Sequence, residues 1–316
     1  MIYFAPMDLT MHIFLCLFSL IITGDTTTQI MKLILGEDSL PGLRQLCIIV
    51  VAFSVMLPLC LLRDIGMLEK FSTISVSTVF IVAILVFVKL VGKGVAGDVD
   101  GVSAHNLSVR GIVTSVGIFS FSFVCNDVVF LYYNTLFRGT EQRFQRVTKI
   151  ALAGSALMTC AFGSLGYLSF GEDTKPNILN NYHDDDVIAT VMRALYVVTM
   201  ALTYPIGVFV CRQVLHCLIR DMEGKPRTDV QEVSLIRHLC YTLAIFLASV
   251  GIVMKVTDLG VVMSMTGNVA GSVLGYVLPG LIGLSERAGR TDQCGPRALL
   301  AFGCVTAILG VVLPFL

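Results

Sequence analysis

The sequence predicts an all-α polytopic membrane protein with about nine transmembrane helices. Three observations lead there. Of the 316 residues, 55% are hydrophobic and only 14% charged, where a soluble domain carries roughly 25% charged residues; the mean hydropathy is +0.84. A soluble chain of this length lacks the interior volume to hide so much apolar surface. The apolar residues also fall in runs close to the ~20 residues that cross a bilayer. Finally, the formal net charge is zero, so no global basic field draws in a polyanion. Together these exclude a soluble enzyme, a disordered protein and a nucleic-acid binder, and make the lipid bilayer the solvent.

The runs come in order. Met11–Ile30 is the weakest, because its apolar part ends at Gly24-Asp25, and Asp25 reads as a wet helix end. Leu46–Leu62 and Phe71–Val88 are uncharged. Gly111–Phe137 is long and contains Asp127. Ile150–Phe170 is uncharged, and Val187–Cys211 is broken only by Arg193 near its start. Leu239–Met254, Leu259–Leu284 and Ala298–Leu316 complete the set, all uncharged. No stretch reads as a separate soluble domain, so residues 1–316 form one membrane domain. Met1 to Thr10 lacks the basic start of a signal peptide.

Basic residues gather in alternate connectors. The even-numbered ones hold Arg63 and Lys70, then Arg138, Arg143, Arg146 and Lys149, then five more between Arg212 and Arg237, then Arg287, Arg290 and Arg297. The odd ones are poorer in Lys and Arg, and one carries Asp184-Asp185-Asp186. By the positive-inside rule the even connectors and the N-terminus are cytosolic, and the C-terminus is outside or lumenal. The sequon at Asn106 falls in an odd connector, a glycosylation candidate on the expected side. Eight of the ten cysteines lie in or beside apolar runs, which suits packing rather than a disulfide framework. The five histidines are scattered, and no cluster has metal-ligand spacing.

Polar groups inside a span are costly and therefore mark function. The outlier is Gly117–Asp127, where Phe119, Phe121 and Phe123 alternate with Ser120 and Ser122 before Asn126 and Asp127. Alternation with period two does not suit a 3.6-residue helix. It suits a short unwound piece that exposes backbone groups to a cavity; a continuous helix with its serines bonded back to the preceding turn is the other reading. Asp127, in a span otherwise uncharged, is a candidate for proton coupling, or else a carboxylate held by Arg138 or its neighbours. In the sixth run Thr199 and Thr203 share a face, and Pro205 frees carbonyls nearby. These oxygens suit Na⁺, or else form a proline kink with threonines as packing glue. Gly267, Gly271 and Gly275, four apart in the eighth run, suit close helix contact or a sliding surface. No paired carboxylates and no nucleophile-base set occur on neighbouring spans, so the chain does not read as an enzyme.

Taken together these segments resemble the amino acid/auxin permease family, which includes sodium-coupled neutral amino acid transporters and vacuolar amino acid transporters. The resemblance rests on Phe119-Ser-Phe-Ser-Phe-Val-Cys-Asn126 continuing to Phe130-Leu-Tyr-Tyr133, on Gly166-Tyr-Leu-Ser-Phe-Gly171, and on Asn177-Ile-Leu-Asn-Asn-Tyr182. Leu202-Thr-Tyr-Pro205, Asp258-Leu-Gly260 and Leu278-Pro-Gly-Leu281 follow in family order. It implies a five-plus-five inverted-repeat fold of leucine-transporter type, here partial: the nine runs look like helices three to eleven, and the first two helices are not represented. Asn126 stands where the family usually has His, and Val128 where many members have a polar residue.

The implied activity is secondary active transport of amino acids, with neutral ones expected, by alternating access, in the plasma membrane or a vacuolar/lysosomal membrane. The runner-up is a non-transporting sensor that kept the scaffold. The expected substrate-binding residues are Phe119, Ser120, Phe121, Ser122, Phe123 and Asn126; the expected coupling residues are Thr199, Thr203 and Asp127. In resembling sodium-coupled members a threonine at the place of Thr203 helps hold Na⁺. No organic cofactor is expected, only Na⁺ or H⁺ as coupling ion; the partners are the amino acid and the bilayer.

Overall fold

In the computed structural model the described residues are 5–35, 41–62, 66–93, 109–125, 133, 136, 138–224, 234–256, 258–286 and 293–312. Asn106, Asn126 and Asp127 lie outside them. Nine long helices can be traced among the described residues, besides two short 3-10 helices, Gly171–Asp173 and Ile178–Asn181, and no strand. They are α1 (Ala5–Leu35), α2 (Leu43–Cys60), α3 (Gly66–Lys93), α4 (Val109–Phe123), α5 (Glu141–Phe170), α6 (Val187–Met222), α7 (Leu235–Val253), α8 (Leu259–Ser285) and α9 (Cys294–Val312). Seven contain stretches long and apolar enough to cross a membrane, and the apolar parts of α4 and α9, Gly111–Phe123 and Cys294–Gly310, are shorter. The apolar runs of the sequence therefore mark every helix.

The boundaries differ in two informative places. The first helix does not stop at Gly24-Asp25 but continues to Leu35. Arg44 of α2 donates its Nε to Asp25 Oδ1 at 2.7 Å, so the carboxylate has a partner rather than a wet helix end. Thr23, Thr26 and Thr28 return their hydroxyls to carbonyls one turn back. Gly24 lets α2 come close: a Cβ there would lie 2.5 Å from the Ile48 side chain. The second difference is α4, whose described helix ends at Phe123, well short of Phe137.

The chain forms two compact units. One comprises residues 12–103 and 162–259. Its centre is α6, which packs along α3 and also meets α2 and α7. Val82 and Val86 of α3 join Leu179, Tyr182, Ala189 and Met192 in one buried apolar cluster. Deeper along α6, the Tyr204 ring meets Phe246 edge-on at 6.2 Å, and Phe246 meets Phe53 at 5.1 Å. Tyr204 Oη and Ser249 Oγ lie 2.6 Å apart, which satisfies a phenol that apolar surroundings would otherwise penalise.

The ends of these helices are tied in pairs. Lys89 near the end of α3 pairs with Asp186, whose Oδ1 also caps α6 by accepting from Ile188 N at 3.1 Å and Ala189 N at 3.2 Å. In the second half of α6, about three turns before its end at Met222, Arg212 Nη1 donates to Cys60 O at 3.4 Å and to Thr242 Oγ1 at 3.1 Å. His238 Nε2 lies 3.3 Å from Leu61 O. The end of α3 thus meets the start of α6, and the end of α2 meets the second half of α6 and the start of α7. That is the alternation of sides expected of successive spans within this unit.

The other unit comprises residues 1–11, 104–161 and 260–316. Here α4 and α9 pack on α8. Two turns of α8, Gly267–Gly271 and Val273–Val277, are π-helical, a widening that frequently accompanies function. α5 presents few buried side chains along its length, as a helix bathed in lipid would.

Candidate functional site

The first candidate is α4. Its helix runs unbroken through Phe119, Ser120, Phe121, Ser122 and Phe123, so the unwound piece expected there is not present. The physical reason is local: Ser122 Oγ donates to Ile118 O at 2.8 Å, giving the hydroxyl a partner on its own helix. The helix instead stops directly afterwards. Val124 N still bonds Ser120 O at 3.2 Å, but Val124 and Cys125 are no longer helical. A 15-residue helix is about 22 Å long, against a hydrocarbon core of about 30 Å.

The residues of α4 divide by face. Phe119 is 50% exposed, and its ring stacks on the half-buried Phe123 at 6.4 Å; Ser122 is exposed beside them. Gly117, Ser120 and Phe121 are buried. The three phenylalanines therefore do not line one wall. Phe119 and Phe123 share a stripe, and Phe121 belongs to the packed side.

That packed side runs along the glycine row of α8. A Cβ on Gly267 would overlap the Gly117 carbonyl; one on Gly271 would lie 3.3 Å from Ser120 and one on Gly275 3.0 Å from Val124. The three glycines thus meet Gly117, Ser120 and Val124 in succession, turn by turn. At Gly267 and Gly271 the backbones approach directly, and at Gly275 the Val124 side chain fills the space. Beside Gly275, Tyr276 places its Oη 3.1 Å from Ser120 Oγ. α9 backs this pair: Phe302 meets the Tyr276 ring edge-on at 5.0 Å, and Thr306 Oγ1 lies 2.8 Å from Ser272 Oγ. Asn268, buried at the crossing, donates Nδ2 to Ser264 Oγ at 3.3 Å and leaves Oδ1 without a partner. Sequence reasoning missed Tyr276, Asn268 and Thr306. The signal was a run of polar residues at Asn268, Ser272 and Tyr276, four apart beside the glycines.

The second candidate is the middle of α6. The helix is continuous through Pro205. Thr199 Oγ1 donates to Leu195 O at 3.1 Å and Thr203 Oγ1 to Thr199 O at 2.8 Å. Each hydroxyl oxygen keeps lone pairs that a cation can use. Pro205 has no N–H, so Ala201 O lacks its helical donor. In a continuous helix, however, residues 201 and 203 project about 200° apart. The freed Ala201 carbonyl and the Thr203 hydroxyl therefore do not make one ligand set; a cation at Thr203 draws its other oxygens from outside this turn.

A third polar centre sits at the start of α6. Arg193 is fully buried, and its guanidinium donates to Tyr182 O at 2.7 Å, Leu179 O at 3.2 Å and His183 O at 3.4 Å. Asp184 Oδ1 lies 3.4 Å away on a half-exposed side chain. The arginine thus holds the segment between α5 and α6 onto the helix. The Tyr182 ring carries Lys89 Nζ at 5.3 Å from its centroid, and burial pushes the Tyr182 phenol above its ordinary range. Sequence reasoning saw Arg193 only as an interruption.

Among the described residues no group of three or more His, Cys, Asp or Glu side chains is placed to hold a metal ion. What the fold defines is a polytopic membrane protein with polar groups sequestered between its helices and one helix that ends within its apolar run. The comparisons give that class its family. The profile described as transmembrane amino acid transporter protein matches residues 1–315, and the chain belongs to this family. A Bos taurus protein named "Putative sodium-coupled neutral amino acid transporter 11" is 29% identical over 300 residues, covering 93% of this chain and 62% of its own length. The Danio rerio protein of the same name is 29% identical over 301 residues, covering 93% and 64%. Saccharomyces cerevisiae "Vacuolar amino acid transporter 2" is 25% identical over 277 residues, covering 84% and 56%. The chain thus spans 56–64% of the length of these relatives.

Proposed function

We propose that this protein carries neutral amino acids across a membrane by alternating access, as a secondary active transporter driven by Na⁺ or H⁺. The observation that carries the reading is the end of α4 at Phe123, inside an apolar run that continues to Phe137. Ending a helix there makes sense only where the chain lines a protein-walled or wet cavity, because lipid cannot satisfy irregular backbone. Helices broken at membrane depth are where transporters bind substrate. The two separately compact units supply parts able to move as bodies. The substrate class comes from the family and from the relatives' names; the membrane in this reading is the plasma membrane or a vacuolar one, and the yeast relative's name supports the second. The basic connectors argue for a cytosolic N-terminus. The alternate pairing of helix ends around α6 agrees with that topology without fixing its sense.

Thr203 is the residue that ties transport to a cation in this reading. Protein reconstituted into liposomes is given radiolabelled neutral amino acids under an imposed Na⁺ gradient or an imposed proton gradient. With Na⁺ as coupling ion, Thr203→Ala lowers Na⁺-stimulated uptake by roughly tenfold or more, since a charged partner loses an oxygen. Thr203→Ser, which keeps that oxygen, stays within about twofold of the parent. Equal sensitivity of the two variants removes Thr203 from the cation path. Binding of the same amino acids with no uptake under either gradient makes the protein a sensor on a transporter scaffold.

A further inference from the structure

We propose that Tyr276 is a positioning residue for the substrate-binding end of α4, acting through Ser120 rather than on the substrate itself. The proposal rests on the transport reading above and assigns Ser120 a different part in it. Ser120 is only 2% exposed, and its hydroxyl faces Tyr276 Oη at 3.1 Å. A serine so enclosed and already partnered is an anchor, not a ligand for a passing amino acid.

The anchor sits where it matters. Ser120 O accepts the last regular bond of α4, from Val124 N at 3.2 Å, and the chain leaves the helix at Val124 and Cys125. Holding residue 120 therefore fixes the direction in which the last carbonyls of the helix and the following backbone point. The rest of the contact cannot do this. The approaches of Gly267 and Gly271 to α4 backbone and of Gly275 to the Val124 side chain are van der Waals contacts, which set distance but carry no hydrogen-bond direction. A hydrogen bond prefers one distance and angle, and Ser120–Tyr276 supplies that direction.

Tyr276 is itself held. Its ring meets Phe302 edge-on, and a Cβ on Gly303 would lie 2.8 Å from the Tyr276 Cβ, so α9 seats it closely. The second π-helical turn, Val273–Val277, contains Tyr276 and sets its facing relative to Gly275. The hydroxyl is thus presented to α4 by two helices, and only its last atom touches Ser120.

The test is a double-mutant cycle on the full chain with two readouts. Tyr276→Phe and Ser120→Ala each remove one hydroxyl and keep the packing. In proteoliposome uptake each variant raises the Km for a neutral amino acid about two- to tenfold, the worth of one neutral hydrogen bond, while the maximal rate stays within about twofold. The double variant is no worse than the worse single, because both remove the same contact. The second readout is the rate at which N-ethylmaleimide labels Cys125, resolved from the other cysteines by mass spectrometry of peptides. Each single variant speeds that labelling and the double adds nothing further. Multiplying effects in the double, or a Tyr276→Phe protein with parental Km and labelling rate, overturns the proposal. If the parent protein shows no uptake, the transport reading has failed, and the Cys125 cycle alone decides the anchor: matched, non-additive acceleration supports it, and unchanged labelling overturns it.

Discussion

The two units are fastened by different physics. In the unit built on α6, the helix ends are tied by charge: Arg193 and Lys89 at the start of α6, Arg212 in its second half. Between them lie large interlocked rings, Tyr204, Phe246 and Phe53. In the unit built on α8, the main contact runs along three glycines, two of them against α4 backbone and the third against the Val124 side chain, with Ser120–Tyr276 and Ser272–Thr306 as cross-helix polar links. Directional bonds in both halves of a helix make a frame, whereas small residues in a row make a surface on which a neighbour can shift at little cost. The candidate substrate end of α4 belongs to the second kind and the Thr203 candidate to the first. A transporter needs both, because something must move and something must stay.

Arg193→Met tests the frame and carries the largest expected effect. It removes the donor shared by three carbonyls and leaves them buried without it, a loss of about 3 kcal/mol. The purified variant should melt at a clearly lower temperature in detergent, and its segment between α5 and α6 should become sensitive to protease. An unchanged melting temperature would mean that the frame does not depend on its arginine.

Gly267→Ala tests the track. The added methyl meets the Gly117 carbonyl, so α4 must move off α8. Overpacking of this kind costs about 1–3 kcal/mol, less than losing the arginine, yet uptake should fall more steeply than stability. The reverse order, with a large fall in melting temperature and normal uptake, would make the glycine row ordinary packing.

Much of this was legible in the sequence for a simple reason: a bilayer imposes a length on every apolar segment, and among the described residues each run contains a helix. What lay beyond reach depends on partners far along the chain. Asp25 looks like a helix end until Arg44, nineteen residues on, neutralises it. The alternating Phe and Ser of α4 look like an unwound piece when period is given more weight than the serine's own back-bond, and the helix that forms is the other of the two readings the sequence offers. The glycine row was legible as a contact surface, but its partner was not, since Ser120 and Tyr276 are 156 residues apart. The Thr203 hydroxyl and the Ala201 carbonyl freed by Pro205 looked like one oxygen cluster, and a continuous helix sends them to opposite sides.

The central claim is that these parts move an amino acid from one side of a membrane to the other. Counterflow tests it without any assumption about the coupling ion. Liposomes containing the protein are loaded with an unlabelled neutral amino acid, diluted into a trace of the labelled one, and followed with no ion gradient imposed. The account predicts a transient accumulation of label above equilibrium that protein-free liposomes lack and that Tyr276→Phe requires more substrate to reach. Folded protein that binds the amino acid yet shows no such accumulation would contradict it.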